Sequence, residues 1–307
     1  MQRVLTTVTL LGLLVATAAA FAITEHLKLE KSPVSTGQIT KVFSPVCKCP
    51  TKRAVIRIKL RRTGRVTVSI VDAPAHGNRV ATIAPDVLVR AHSPQHFSWN
   101  GQTDAGGRAP DGAYYPSVEL PHQTYTFIDK IVLDTKPPKV LRAKGLKPVL
   151  LAGPGRSVAI RYAVSEKAHP LVYLGGRRII LGRRTEGSKI KWNGRVNHRA
   201  VPAGRYVLSI GAQDLAGNET PAADRKNVTV VVRYVQLDPQ LITVGSGGRI
   251  TMHVETAARR YKWRLGHRHG ERRGKVLRLR APSTPGTYRL VVGEPGRSAT
   301  TVVRVRQ

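Results

Sequence analysis

The chain has 307 residues, 41% of them apolar and 5% aromatic, and its 51 Lys and Arg against 18 Asp and Glu give a formal charge of +33. That length fits two or three domains, the scarcity of carboxylates leaves a carboxylate-based hydrolase poorly provisioned, and recurring apolar runs such as Val228–Val232 exclude a disordered chain. No Gly-x-Ser-x-Gly, phosphate-binding loop, His-Glu-x-x-His or dinucleotide fingerprint occurs.

Residues Val4–Ile23 carry no charge. About 20 such residues suffice to cross the roughly 30 Å hydrocarbon layer as a helix. Ala18-Ala19-Ala20 and Ala20-Phe21-Ala22 also offer small-residue cleavage patterns. Two outcomes stay open: a signal anchor over residues 1–23, favoured by the length of the apolar run, and a cleaved export signal. In both the body is expected outside the cytoplasm, as a single-pass membrane protein or, after cleavage, a secreted one. Arg3 on the inner side agrees with that orientation. Residues 24–40 are polar, with Ser32-Pro33 and Thr36-Gly37, and predict a juxtamembrane spacer.

Residues 41–135 predict the first β domain. Val55, Ile56, Ile58 and Leu60 mark one strand, and Val66, Val68 and Ile70 the next. Ala73–Asn78 is a turn, and Val80 and Ile83 through Val89 lead onward. Phe97 and Trp99, two apart, share a face of an extended segment that Asn100-Gly101 breaks. Asp104, Gly106, Gly107, Pro110, Asp111 and Gly112 are a dense cluster of turn residues. Tyr114 opens the return strand through Val118 and Leu120, and Tyr125–Leu133 closes the domain. Trp99 is expected to pack against the opposite sheet.

Asp134-Thr135-Lys136-Pro137-Pro138 punctuates the chain as an extended joint. In residues 136–233, Val158–Val164 and Leu171–Leu174 alternate like paired strands, and Gly175-Gly176 makes a hairpin turn. Trp192-Asn193-Gly194 then repeats Trp99-Asn100-Gly101, and Pro202-Ala203-Gly204-Arg205-Tyr206 repeats Pro110-Asp111-Gly112-Ala113-Tyr114. Asp214–Asn218 is a tight turn, and Val228–Tyr234 closes the sheet. Residues 234–307 predict a third, shorter β domain that lacks a strand pair. Pro285-Gly286-Thr287-Tyr288 is a degenerate third copy, with Trp263 upstream, and Arg259–Arg273 reads as a basic loop. Tyr114, Tyr206 and Tyr288 lie 92 and 82 residues apart, near the roughly 100 residues of a small sandwich. The fold class is therefore expected to be all-β, tandem sandwiches behind one N-terminal transmembrane helix, and their Ig-like or fibronectin-like character is what the motif's resemblance implies.

The Trp-Asn-Gly, the Asp/Gly-rich turn and Pro-x-Gly-x-Tyr together resemble the FlgD-type Ig-like domain, the C-terminal module of flagellar hook-assembly scaffolds that also occurs in secreted and surface bacterial proteins. Val66–Leu120 carries the resemblance best, the second domain about half of it, and the third its last turn. Asp-Thr-x-x-Pro at 134–138 and Asp-x-Ala-Gly-Asn at 214–218 also resemble features of bacterial Ig-like repeats. In that family an Asp/Asn-rich stretch follows Phe-Ser-Pro. Here Phe43-Ser44-Pro45 is followed by Val46-Cys47-Lys48-Cys49, so no calcium site is carried over. The family's hook-binding segment precedes its Ig-like domain, where this chain has its apolar segment.

Cys47 and Cys49 admit a local disulfide, two free or intermolecular thiols, or part of a metal site whose remaining ligands are not spaced nearby. His253, His267 and His269 offer at most two ligands on one face and read as solvated, and Asp104, Asp111 and Glu119 suit backbone-bonding roles better than acid–base catalysis. No catalytic, cofactor-binding or metal residue is assigned, and no enzyme activity is expected. The charge is uneven: net +1 over residues 1–40, +6 over 41–135, +15 over 136–233 and +11 over 234–307. Such a field attracts polyanions, although a merely solvated Arg-rich surface fits it too. Nucleic acid is not the expected partner, because Tyr261-Lys262-Trp263-Arg264, the nearest approach to aromatic interleaving, reads as core and rim of a strand. The expectation is a membrane-tethered envelope scaffold, adhesion or binding module whose partner is a cell-envelope polyanion or a protein. The alternatives are a hook-assembly-like scaffold and an accessory module of a secreted enzyme.

Overall fold

The computed structural model describes residues 10–22, 32–75 and 77–307. The chain forms two compact units, one ending at Thr135 and the other running from Lys136 to Gln307. Residues 10–22 are helical, and Leu10, Leu11, Leu13, Leu14, Val15 and Phe21 along them are all exposed. Among the described residues no helix is long and apolar enough to cross a membrane. The rest of the expected anchor and the first part of the expected spacer lie outside the described residues.

In the first unit, the strand Ala54–Leu60 buries every second residue. Ala54, Ile56, Ile58 and Leu60 point inward from the strand Ala54–Leu60, whereas Val55 and Arg57 between them are exposed. One layer has the order Val34–Ile39, Ala54–Leu60, Gln95–Trp99. The facing layer has the order Val42–Phe43, Ile131–Leu133, Gly112–Leu120, Gly64–Val71, Arg79–Val89, with Gln123–Thr126 hung on Gly112–Leu120. Val42–Phe43 runs parallel to Ile131–Leu133, and the other pairings are antiparallel. Phe43, Ile56, Ile58, Ile70, Val118 and Ile131 are fully buried between the layers.

Two expectations for this unit change. Residues 34–39, expected in the spacer, are an edge strand of the sandwich, and Val34 is buried in its core. Gly37 makes this possible, because a Cβ there would lie 2.3 Å from the Phe127 ring. Tyr125–Leu133 is not one strand but two, Gln123–Thr126 and Ile131–Leu133. Between them Phe127 turns into the core, edge-on to Tyr125 at 5.3 Å, and Ile128 is thrown out to 91% exposure.

The second unit contains two further layer pairs. In the first pair the 17-residue strand Val158–Leu174 serves both layers. Its first half pairs with Val140–Gly145 and Thr185–Trp192, and its second half with Arg177–Leu181 and Gly204–Gln213. Val158–Val164 and Leu171–Leu174 are thus halves of one bent strand rather than partners of each other. Lys226–Arg233 and the parallel Val149–Leu151 complete the second layer. The last pair sets Val235–Asp238, Arg249–Thr256 and Val276–Arg280 against Leu241–Gly245, Arg297–Arg306, Gly286–Glu294, Arg260–Leu265 and Arg268–Arg273. Its strand order matches that of the other two, so the third segment is short without lacking a strand pair. Arg259–Arg273 is a hairpin rather than a loop, because Tyr261, Trp263 and Leu265 alternate into the core. Three separate cores, each between two β layers of this order, make the fold a series of Ig-like sandwiches.

Candidate functional site

The repeated motif builds a corner, and it builds it twice. The Trp99 indole N–H donates to the Gln102 carbonyl at 2.7 Å, and the Trp192 indole N–H donates to the Arg195 carbonyl at 3.0 Å. Asn100 Oδ1 accepts from the Gln102 N–H at 3.0 Å, and Asn193 Oδ1 from the Arg195 N–H at 3.2 Å. Gly101 and Gly194 adopt φ of 81° and 73°, and a Cβ on either would meet the opposite layer 3.0 Å away, at Leu133 and at Leu150. Their carbonyls accept from Ala109 and Val201. The Tyr114 hydroxyl donates to the Pro110 carbonyl at 2.6 Å, and the Tyr206 hydroxyl to the Pro202 carbonyl at 2.8 Å. Each tyrosine stands edge-on to its tryptophan, with centroids 5.0 Å and 5.9 Å apart. Gly112 and Gly204 open the strands that carry the tyrosines.

These side chains come together to lock the end of one sheet onto the other, and the indole N–H, Asn Oδ1 and tyrosine hydroxyl of each corner are spent on the backbone. The third segment keeps half of this device. The Tyr288 hydroxyl donates to the Thr284 carbonyl at 2.9 Å. Trp263, however, sits on Arg260–Leu265 in the other layer, so it is not a copy of Trp99. Asp104 accepts from the Thr82 N–H and hydroxyl, Asp111 accepts from Thr135, and Glu119 pairs with Arg79 at 2.7 Å. The three carboxylates therefore act separately, as ties between strands and loops. Cys47 is joined to Cys49 by a disulfide. His253, His267 and His269 are exposed, and among the described residues they do not gather into a three-ligand set.

Within the second unit, the junction between its two sandwiches forms a groove of about 660 Å³. The Ala203 N–H donates to the Gly296 carbonyl at 3.1 Å, the Tyr234 hydroxyl donates to the Val201 carbonyl, and Arg297 lies over the Tyr234 ring at 5.0 Å. Gly153 abuts Ala257 so closely that no Cβ fits there. Arg195, Arg259, Arg260, Lys262 and Arg297 line the groove, with Glu294 the carboxylate among them, 3.1 Å from Lys262. The cations here flank the second corner, so Asn193 joins the groove although its side chain serves the turn. Nothing in the linear pattern brings Arg195 and Arg297 to one place, and the sequence reading missed this groove.

A polar network centred on the buried Tyr173 ring, with Arg178 and Glu219 exposed, lies outside both features. The Tyr173 hydroxyl donates to Glu219 at 2.8 Å, Arg225 stacks 3.5 Å over the ring, and Arg178 stands 3.5 Å from Glu219. Burial first, and then the bond to Glu219 and its charge, push the phenol up to about 12, against the pull of Arg225 and Arg178. The raised value means the neutral phenol is the form that folding favours. Its contribution is complete below the free-tyrosine value near 10 and is lost as pH rises toward 12. Between pH 9 and 11.5 the second unit is expected to lose about 2 kcal/mol that a Tyr173→Phe chain does not lose. Urea melts of both chains at the two pH values measure the difference, and parallel losses would remove Tyr173 as the cause.

No protein-family model matches the chain, and no curated protein does. Among solved structures, the D0-D1 domain of intimin aligns over 64% of this chain and 98% of its own, at 10% identity and a TM-score of 0.25. Extracellular domains 3-5 of Drosophila OTK align over 91% and 99%, at 10% identity and a TM-score of 0.22. The mouse nectin-like molecule 4 ectodomain, Ig1-Ig3, aligns over 87% and 98%, at 14% identity and a TM-score of 0.26. The strand order of each layer pair is what makes the fold Ig-like.

Proposed function

We propose that this chain is a non-enzymatic extracytoplasmic binding module, built of tandem Ig-like sandwiches, whose residues 136–307 contact an anionic polymer of the cell envelope. One observation carries the reading: residues 136–307 hold 35 Lys and Arg against 9 Asp and Glu, on rigid sheets whose inward positions are apolar. Nine carboxylates cannot neutralise that many cations, so the surplus faces solvent on strands that hold it in place. The ion pairs Arg178–Glu219, Arg260–Glu271 and Lys262–Glu294 are solvent-accessible, where such pairs contribute little to stability. The surplus of basic over acidic residues supports contact with an anionic partner. Titration of the full chain with an anionic wall polymer at several salt concentrations tests the reading.

We also propose that the apolar segment at 4–23 delivers the chain across a membrane and tethers it there. Six large apolar side chains exposed along residues 10–22 support this, since a water-soluble surface seldom shows so dense an apolar patch. Cell fractionation with surface proteolysis checks it: a body found uncut inside intact cells would refute the placement. The narrower kinship to the FlgD-type module is proposed for the corner alone, on the paired geometry of Trp99–Tyr114 and Trp192–Tyr206.

A further inference from the structure

The last sandwich has an arginine-lined hollow on its open side. In the hairpin Arg260–Leu265/Arg268–Arg273, cross-strand partners share a face. Tyr261, Trp263 and Leu265 point into the core, so their partners Arg272, Gly270 and Arg268 belong to the inner face as well. An edge strand thus carries two arginines on the side where apolar residues are the rule. Gly270 between them has no side chain, and a Cβ there would lie 3.0 Å from Trp263 Nε1. The indole fills that space. Trp263 is 92% buried, being 8% exposed, and its Nε1 has no hydrogen-bond partner.

Across the gap, Arg278 and Arg280 lie on the strand Val276–Arg280, and Arg249 is directly opposite Arg280. These five arginines and Trp263 line a hollow of about 410 Å³. No carboxylate lies within ion-pair distance of any of the five among the described residues. Arg268 Nη1 donates to the Arg280 carbonyl at 2.8 Å, which spans the gap and holds that guanidinium in place. Five like charges around one hollow repel each other, and folding bears that cost whenever the hollow is empty of anions.

We propose that this hollow binds phosphate groups, at least two in succession along an anionic polymer. The proposal rests on the polyanion reading of residues 136–307 and names its site. Guanidinium forks match the oxygens of a phosphate in pairs. A single carboxylate, with one charge and two oxygens, leaves most of the five cations uncompensated. A simpler role, warding off strand pairing at the sheet edge, asks for charge alone and for no particular anion.

The test is calorimetric titration of the full chain with inorganic triphosphate at low salt, and with citrate as a non-phosphate anion. The variants are Arg272→Gln with Arg278→Gln, and, as a charge-matched control, Arg142→Gln with Arg161→Gln. All four arginines are exposed, so both variants are expected to fold, and thermal melts verify it. The expected result is one saturable triphosphate site, weakened about tenfold or more by the hollow pair and less than about threefold by the control. No saturable site, equal losses in the two variants, or citrate bound as tightly as triphosphate would each overturn the hollow. Polymer titration in parallel separates the two readings. Polymer binding with equal losses leaves the basic surface and removes the hollow, whereas triphosphate binding without polymer binding does the reverse.

Discussion

Replacing Trp99 by alanine is expected to destabilise the first unit by about 3–5 kcal/mol, the range for a buried tryptophan emptied to a cavity. Trp99 is 3% exposed and touches aromatic rings on two sides, Phe43 at 5.4 Å and Tyr114 at 5.0 Å. Its loss removes the ring, the edge-on pair and the bond that fixes the Gln102 carbonyl. Tyr114→Phe keeps the ring and loses one hydrogen bond, so about 1 kcal/mol is expected. The two residues touch, and their effects should couple by 0.5–3 kcal/mol or thereabouts in a double-mutant cycle. A chain with separate units does not unfold in one step, so amide hydrogen exchange is the right measurement. Faster exchange is expected across Ala54–Leu60, with Arg249–Thr256 unchanged. A loss below 1 kcal/mol, or one spread equally over both units, would show that the corner is not what closes the sandwich.

Binding of an anionic wall polymer is expected to fall about 10³-fold between 50 and 200 mM salt. The estimate follows from counterion release: each phosphate neutralised returns close to one counterion to solution, and roughly six such contacts suffice for a loss of that size. Residues 136–307 offer many more cations than six. The slope therefore counts contacts. Removing two surface arginines should lower it by about 2 wherever they lie on the contact face. A flat salt response, or no binding at low salt, would leave the basic composition as a solvated surface without a polymer partner.

The corner was legible because its parts are neighbours in the chain. Trp99, Asn100 and Gly101 need only the next few residues to complete their bonds, and Tyr114 reaches back four residues to Pro110. Period-2 alternation likewise marked Ala54–Leu60 and Gly64–Val71, since an extended chain turns successive side chains to opposite faces. Copies of the corner disclosed the repeated sandwich even where sequence likeness was thin.

Alternation does not say which layer a strand joins. Hence the alternation predicts two strands where Val158–Leu174 is one, and a third corner that would include Trp263 where that residue lies in the other layer. Strand Val34–Ile39 is not legible in the sequence for a related reason: its inclusion depends on Gly37 meeting Phe127, 90 residues later in the chain. By itself the sequence determined the all-β class, the corner and the uneven charge, all of which are set by residues close together or by simple counts. Only the tertiary structure decided where the charge converges. Arg249, Arg268, Arg272, Arg278 and Arg280 meet around one hollow because two β layers bring their edges together, and that pairing is fixed by core packing remote from the arginines.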